Sequence, residues 1–99
     1  MLIELDDGFS FGLGLFETIL LYKGEAVFLD EHLARINQSI IDLDLNIDKL
    51  EKDEVYRYLE TNKSELEHEV LKIVLTEKNR LFIKEHIRIQ MKIIKGLLA

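Results

Sequence analysis

Residues 15–35 read Leu-Phe-Glu-Thr-Ile-Leu-Leu-Tyr-Lys-Gly-Glu-Ala-Val-Phe-Leu-Asp-Glu-His-Leu-Ala-Arg, and within them the residue pattern changes from strand to turn to helix. From Leu15 to Tyr22 only Glu17 and Thr18 interrupt a run of apolar β-formers bounded by Gly14 and by Lys23-Gly24, which predicts a mostly buried strand. Lys23-Gly24 suits a tight hairpin turn, because glycine accepts the positive φ that a two-residue loop demands. Glu25 to Leu29 is then expected to return as the antiparallel partner. Asp30 is placed to cap a helix whose apolar residues Leu33, Ile36, Ile40 and Leu43 recur at spacings of three and four. This helix is expected to end near residues 44–46.

Working outward, a second helix is expected from about Leu50 to Leu59, with Val55, Tyr58 and Leu59 on one face, and Thr61 to Ser64 forms a polar break. Glu69 to Thr76 is dense in Val, Leu and Ile, which predicts a central strand with both faces covered. A turn at Lys78-Asn79 leads to a half-buried strand over Arg80 to Gln90, with Leu81, Ile83, Glu85, Ile87 and Ile89 on one side and Phe82, Lys84, His86 and Arg88 on the other. Met91 to Ala99 reads either as an extension of that strand or as a short helix. Runs of two strands and two helices, without strict alternation, give the fold class as α+β: a small antiparallel sheet with about two helices packed on it, in a single domain over residues 1–99.

Composition narrows the function. The 99 residues are 47% hydrophobic and 32% charged, an ordinary globular balance. A net charge of -6 and a pI near 5.0 argue against a nucleic-acid partner, since phosphate backbones are bound by clustered basic faces. The absence of cysteine removes disulfides and thiolate chemistry and fits a reducing compartment. No apolar run approaches the roughly 20 residues that span a bilayer. Acidic residues stand where a secretory leader carries basic ones, so a cytoplasmic, membrane-free protein is expected. His32, His68 and His86 are far apart in sequence and lack clustered acids, and no metal site is expected.

Few residues stand out chemically. Arg35 falls early in the first helix, and its guanidinium fork matches phosphate oxygens; the alternative is a surface arginine paired with Glu31, Asp42 or solvent. His32, placed about 90° or more around the helix, is expected to hydrogen-bond locally. Glu17, a single carboxylate without a visible partner, is read as a structural pair or a dimer contact. Gly12 and Gly14 let the backbone pass close to another segment or a ligand, and Phe11 and Phe16 flank them, with ordinary core positions as one reading of these two aromatics. Lys72, among apolar neighbours, needs hydration or a partner for its ammonium; an edge-strand lysine reaching water is one reading.

Two blocks, Phe-Gly-x-Gly-x-Phe-Glu-Thr at 11–18 and Phe-Leu-x-Glu-His-Leu-x-Arg at 28–35, together resemble the N-terminal small domain of the class-IV aminotransferase family, the fold-type IV enzymes dependent on pyridoxal 5'-phosphate (PLP). The resemblance fades after Lys84. It implies that Arg35 binds the cofactor phosphate, that Phe11 and Phe16 wall a substrate pocket, and that Lys72, in Leu71-Lys72-Ile73, faces a small-molecule substrate. The Schiff-base lysine of the family lies in a larger second domain, so the resemblance implies no catalytic residue here and an inactive 99-residue chain, a small-domain fragment or truncated product. It further implies a homodimer. The Phe-Glu-Thr form and the Leu-Lys-Ile strand look most like the branch that cleaves 4-amino-4-deoxychorismate to 4-aminobenzoate and pyruvate; branched-chain or D-amino-acid aminotransferases, or a non-catalytic oligomerisation domain, are the alternatives.

Overall fold

The computed structural model describes residues 2–5 and 12–86. The element order is β1 (Leu2–Leu5), β2 (Gly12–Tyr22), β3 (Glu25–Ala26), α1 (Leu29–Asp42), α2 (Lys52–Thr61), β4 (His68–Leu75) and β5 (Arg80–His86). The sheet runs β1-β2-β4-β5, with β3 pairing the far end of β2, and every pairing is antiparallel. This is the α+β arrangement expected from the sequence. Among the described residues no helix is long and apolar enough to cross a membrane.

The sheet has one covered face. Along β2, Leu15, Glu17, Ile19 and Leu21 point inward, and along β4 Glu69, Leu71, Ile73 and Leu75 do the same. The register lines them up in rows across β2, β4 and β5, such as Glu17–Ile73–Phe82 and Ile19–Leu71–Lys84. Residues directly opposite on one face are the contacts that stabilise a sheet. Leu29, Leu33, Ile36 and Ile40 of α1 and Val55 of α2 close the core over this layer. The outer face of β4, with Val70, Lys72 and Val74, is only half-buried, so the expectation that both faces are covered is corrected. Alternation, weak in the apolar density of 69–76, still decides which side chains are excluded from water.

The turn at Lys23-Gly24 forms as expected, with φ of 49° and 84° at its two residues and Tyr22 opposite Glu25. The return strand is shorter than the expected Glu25–Leu29. It ends at Ala26, after which Val27 N–H donates to the Leu20 carbonyl at 2.8 Å and Phe28 turns left-handed, φ 56°, to start α1. Leu29 is thereby the first residue of the helix and is buried in its stripe, a position an extended strand would not give it. Asp30 does not cap; it sits in the first turn, where a carboxylate complements the helix dipole, and pairs with Lys52 at 2.6 Å. Leu43, expected on the apolar stripe, is the C-cap residue and is exposed.

The second helix begins two residues later than expected, at Lys52, behind a capping box in which Glu51 and Glu54 satisfy each other's backbone N–H groups. Leu50 belongs to the approach rather than to the helix. Its backbone N–H and carbonyl are both held by the side-chain amide of Asn37, at 2.8 and 2.9 Å, and its side chain is buried. Between β4 and β5 the Thr76 hydroxyl accepts from the N–H groups of Lys78 and Asn79, which makes the expected turn. The stretch 87–90 of the expected last strand, and residues 91–99, lie outside the described residues.

Candidate functional site

Glu17 stands in the middle of β2 on the inward face, 4% exposed, in a row with Ile73 and Phe82. A carboxylate in an apolar layer is costly unless it is paired and hydrogen-bonded. Helix α1 supplies the partners from 15 and 18 residues away. Arg35 takes the carboxylate side-on, Nε donating to Oε2 at 2.9 Å and Nη2 to Oε1 at 2.6 Å. His32 Nδ1 lies 2.6 Å from the same Oε1. So short an approach to an ionised carboxylate oxygen requires a proton between the two atoms, which assigns that proton to Nδ1. The 3.2 Å separation of Arg35 Nη2 from His32 Nδ1 is then a close packing of two donors on one acceptor.

The helix phase expected for His32 is corrected here. Residues three apart on an α-helix lie about 60° apart, not 90° or more, and so share a face. Glu17 is a structural pair, one of the roles read from the sequence, and among the described residues Arg35 and His32 both hold it. Burial by itself raises the Glu17 pKa; the hydrogen bonds from Arg35 and His32 and the Arg35 charge outweigh it and hold the carboxyl below its ordinary value. The hydrogen bond and charge of Glu17 raise Arg35 further.

Arg35 is the seventh residue of the fourteen in α1, and its side chain remains 64% exposed although its partner is buried. The surface alternative named Glu31, Asp42 or solvent; the side chain does stand largely in solvent, and its carboxylate partner is Glu17 rather than Glu31 or Asp42. Together with Phe16, Glu17 and Thr18, Arg35 lines a hollow of about 290 Å³. Phe16 is half-buried on the outer face of β2, opposite Val74. Lys72 lies on that same face, opposite Thr18 and Ile83, and is paired with Glu85 at 3.1 Å. It does not line the hollow, and β4 is an inner strand between β2 and β5, so the edge-strand reading of Lys72 is corrected. Gly12 and Gly14 are part of β2 itself and face Leu5 and Ile3 of β1. Phe11 lies outside the described residues.

Two larger hollows lie elsewhere and hold none of these residues. One, of about 730 Å³, is bounded by the Lys23-Gly24 turn, Leu59, Asn62 and Lys84, and the other, of about 720 Å³, by Leu33, Asn37, Ile41, Ile47 and Leu50. Among the described residues no three His, Cys, Asp or Glu side chains come together as a metal-binding group. The sequence reading missed the joint action of His32 and Arg35; the His-x-x-Arg spacing on a helix was the available signal.

A buried carboxylate on a strand gripped by an arginine and a histidine from the following helix is carried by the two motif blocks around residues 11–18 and 28–35, and the chain belongs to the amino-transferase class IV family, whose model matches residues 14–92. The match continues past Lys84, where the resemblance was expected to fade. Among individual proteins the chain is similar to aminodeoxychorismate lyase of Bacillus subtilis (strain 168), 40% identical over 45 residues. That stretch is 46% of this chain and 15% of the relative's length. No solved structure matches the chain.

Proposed function

We propose that this chain is the N-terminal domain of a PLP-dependent enzyme of fold-type IV, with cleavage of 4-amino-4-deoxychorismate to 4-aminobenzoate and pyruvate as the reaction of the complete protein. The observation that carries the reading is Arg35, exposed at the rim of a hollow while Glu17 grips one edge of its guanidinium. A guanidinium so held fits a phosphate group: Glu17 uses Nε and Nη2, and a planar fork retains Nη1 for a second oxyanion. When bound, PLP supplies the electron sink that such chemistry needs. In this reading Arg35 holds the phosphate, Phe16 forms a wall beside it, and Lys72 offers an ammonium to a carboxylate-bearing substrate.

The lyase rather than a branched-chain or D-amino-acid aminotransferase is favoured by the relative's name and by the Leu71-Lys72-Ile73 strand. The proposal includes a cytoplasmic homodimer, supported by apolar side chains left in solvent at Phe28, Ile41 and Leu43. The test uses the complete reading frame containing this segment, with PLP added and two assays run in parallel. Release of 4-aminobenzoate from 4-amino-4-deoxychorismate supports the lyase; amino transfer from branched-chain or D-amino acids without it moves the protein to the aminotransferase branch. Neither activity, with no cofactor absorbance near the visible edge, leaves an oligomerisation domain. The 99-residue chain by itself is expected to release no 4-aminobenzoate.

A further inference from the structure

The β2 strand spends an inward position on a charge. Glu17 occupies a row otherwise filled by Ile73 and Phe82, yet the cation it binds stands largely in solvent. An ion pair that served the core alone would bury both partners or neither. Here the anchored member is the carboxylate, and the member it anchors lines a hollow.

We propose that Glu17 is a positioning residue for Arg35: by taking the guanidinium side-on it fixes the plane of the fork and leaves the Nη1 edge for an anion of the phosphate-monoester class at the hollow beside Phe16 and Thr18. The inference rests on the reading of Arg35 as an anion-binding residue. Two contacts to two carboxylate oxygens remove the rotation about the arginine's terminal bonds that a single contact leaves. His32, on the Oε1 atom that also accepts from Nη2, holds the carboxylate's own rotamer. An arginine free in solvent must be ordered when it binds, and a pre-ordered one binds more tightly because that entropy is already lost.

Electrostatics gives the inference a sign that a purely structural role lacks. A carboxylate beside an anion site repels the anion, so removing the Glu17 charge tightens phosphate binding if charge is all that matters. Loss of positioning does the reverse. The experiment titrates inorganic phosphate into the 99-residue chain by calorimetry at fixed ionic strength and follows the Arg35 Nε–H signal by NMR. The wild-type chain is expected to bind saturably with a resolved Nε–H signal, and Arg35→Ala to show no saturable binding.

Glu17→Gln is expected to weaken phosphate by about three- to tenfold, the scale of ordering one long side chain, and to broaden the Nε–H signal. Binding by Glu17→Gln that equals or exceeds wild type overturns the inference and leaves the Arg35 reading intact. Equal binding by wild type and Arg35→Ala, or none by either, overturns the Arg35 reading itself, and the inference with it. Should Glu17→Gln fail to fold, Glu17→Asp carries the test, since it keeps the charge but withdraws the carboxylate by one methylene. The same weakening is expected there, and unchanged affinity in a folded Glu17→Asp chain overturns the inference.

Discussion

Two arginines of this chain meet a glutamate through the same pair of donors and end in different situations. Arg80 on β5 binds Glu54 of α2 with Nε at 3.0 Å and Nη2 at 2.7 Å, as Arg35 binds Glu17. Arg80 then continues: Nη1 donates to the Asp48 carbonyl at 2.8 Å and Nη2 to the Lys49 carbonyl at 3.1 Å, so one side chain ties the helix and its approach to the sheet. Both partners there are equally covered, each side chain 28% exposed. In the Arg35 pair the carboxylate is buried and the guanidinium exposed, and Nη1 has no partner among the described residues. A staple engages all three guanidinium nitrogens within the chain. Arg35 keeps one edge.

The largest effect that tests this contrast is on stability at Arg80. Arg80→Ala removes a two-point ion pair and the donors of two carbonyls, and is expected to cost about 2 kcal/mol. At this chain size that lowers the melting temperature by about 10 °C, read by circular dichroism. A loss near zero would deny Arg80 its structural role.

A smaller effect is expected in acid. Glu54, like Glu17, is pushed upward by burial but held below its ordinary value by its partners, Arg80 and the Glu51 backbone N–H. A carboxyl whose pKa is lower in the folded chain contributes stability that is fully present above the unfolded value, near 4.5, and is lost as pH falls through the folded value. Unfolding by urea at pH 7 and at about pH 3 should therefore show a wild-type decline that is reduced in Glu17→Gln and in Glu54→Gln. An unchanged pH dependence in both variants would show that neither pair is formed.

Arg35→Ala leaves the buried Glu17 carboxylate with His32 and is expected to lower the melting temperature too, so stability alone does not separate it from Arg80→Ala. The consequence that separates them belongs to binding: a complete enzyme carrying Arg35→Ala is expected to retain less PLP after dialysis, measured by cofactor absorbance. PLP retained by Arg35→Ala at the level of the unaltered enzyme would erase the distinction between staple and site.

The strand and helix periods of residues 15–42 were legible because each depends on neighbours within one turn or one pleat. Leu33, Ile36 and Ile40 fall on the core side as their spacing requires, and Lys23-Gly24 turns as its φ angles allow. Helix entry was misread, because the left-handed Phe28 carries no local signature and its conformation follows from burying Leu29. The second helix start was displaced for a similar reason: Glu51 and Glu54 form a reciprocal cap, while Leu50 is held by Asn37 from another element.

The sequence by itself determined the strand–turn–helix order, the α+β class and the family, since these follow from periodicities and motif spacings internal to short segments. Only the tertiary structure decided that Glu17, His32 and Arg35 form one cluster and that Lys72 stands on the other face of the sheet with Glu85. Contacts between residues 15 or 18 apart depend on where α1 crosses β2, and that crossing is set by how the apolar stripe of the helix packs onto the sheet, a property of no single stretch of chain.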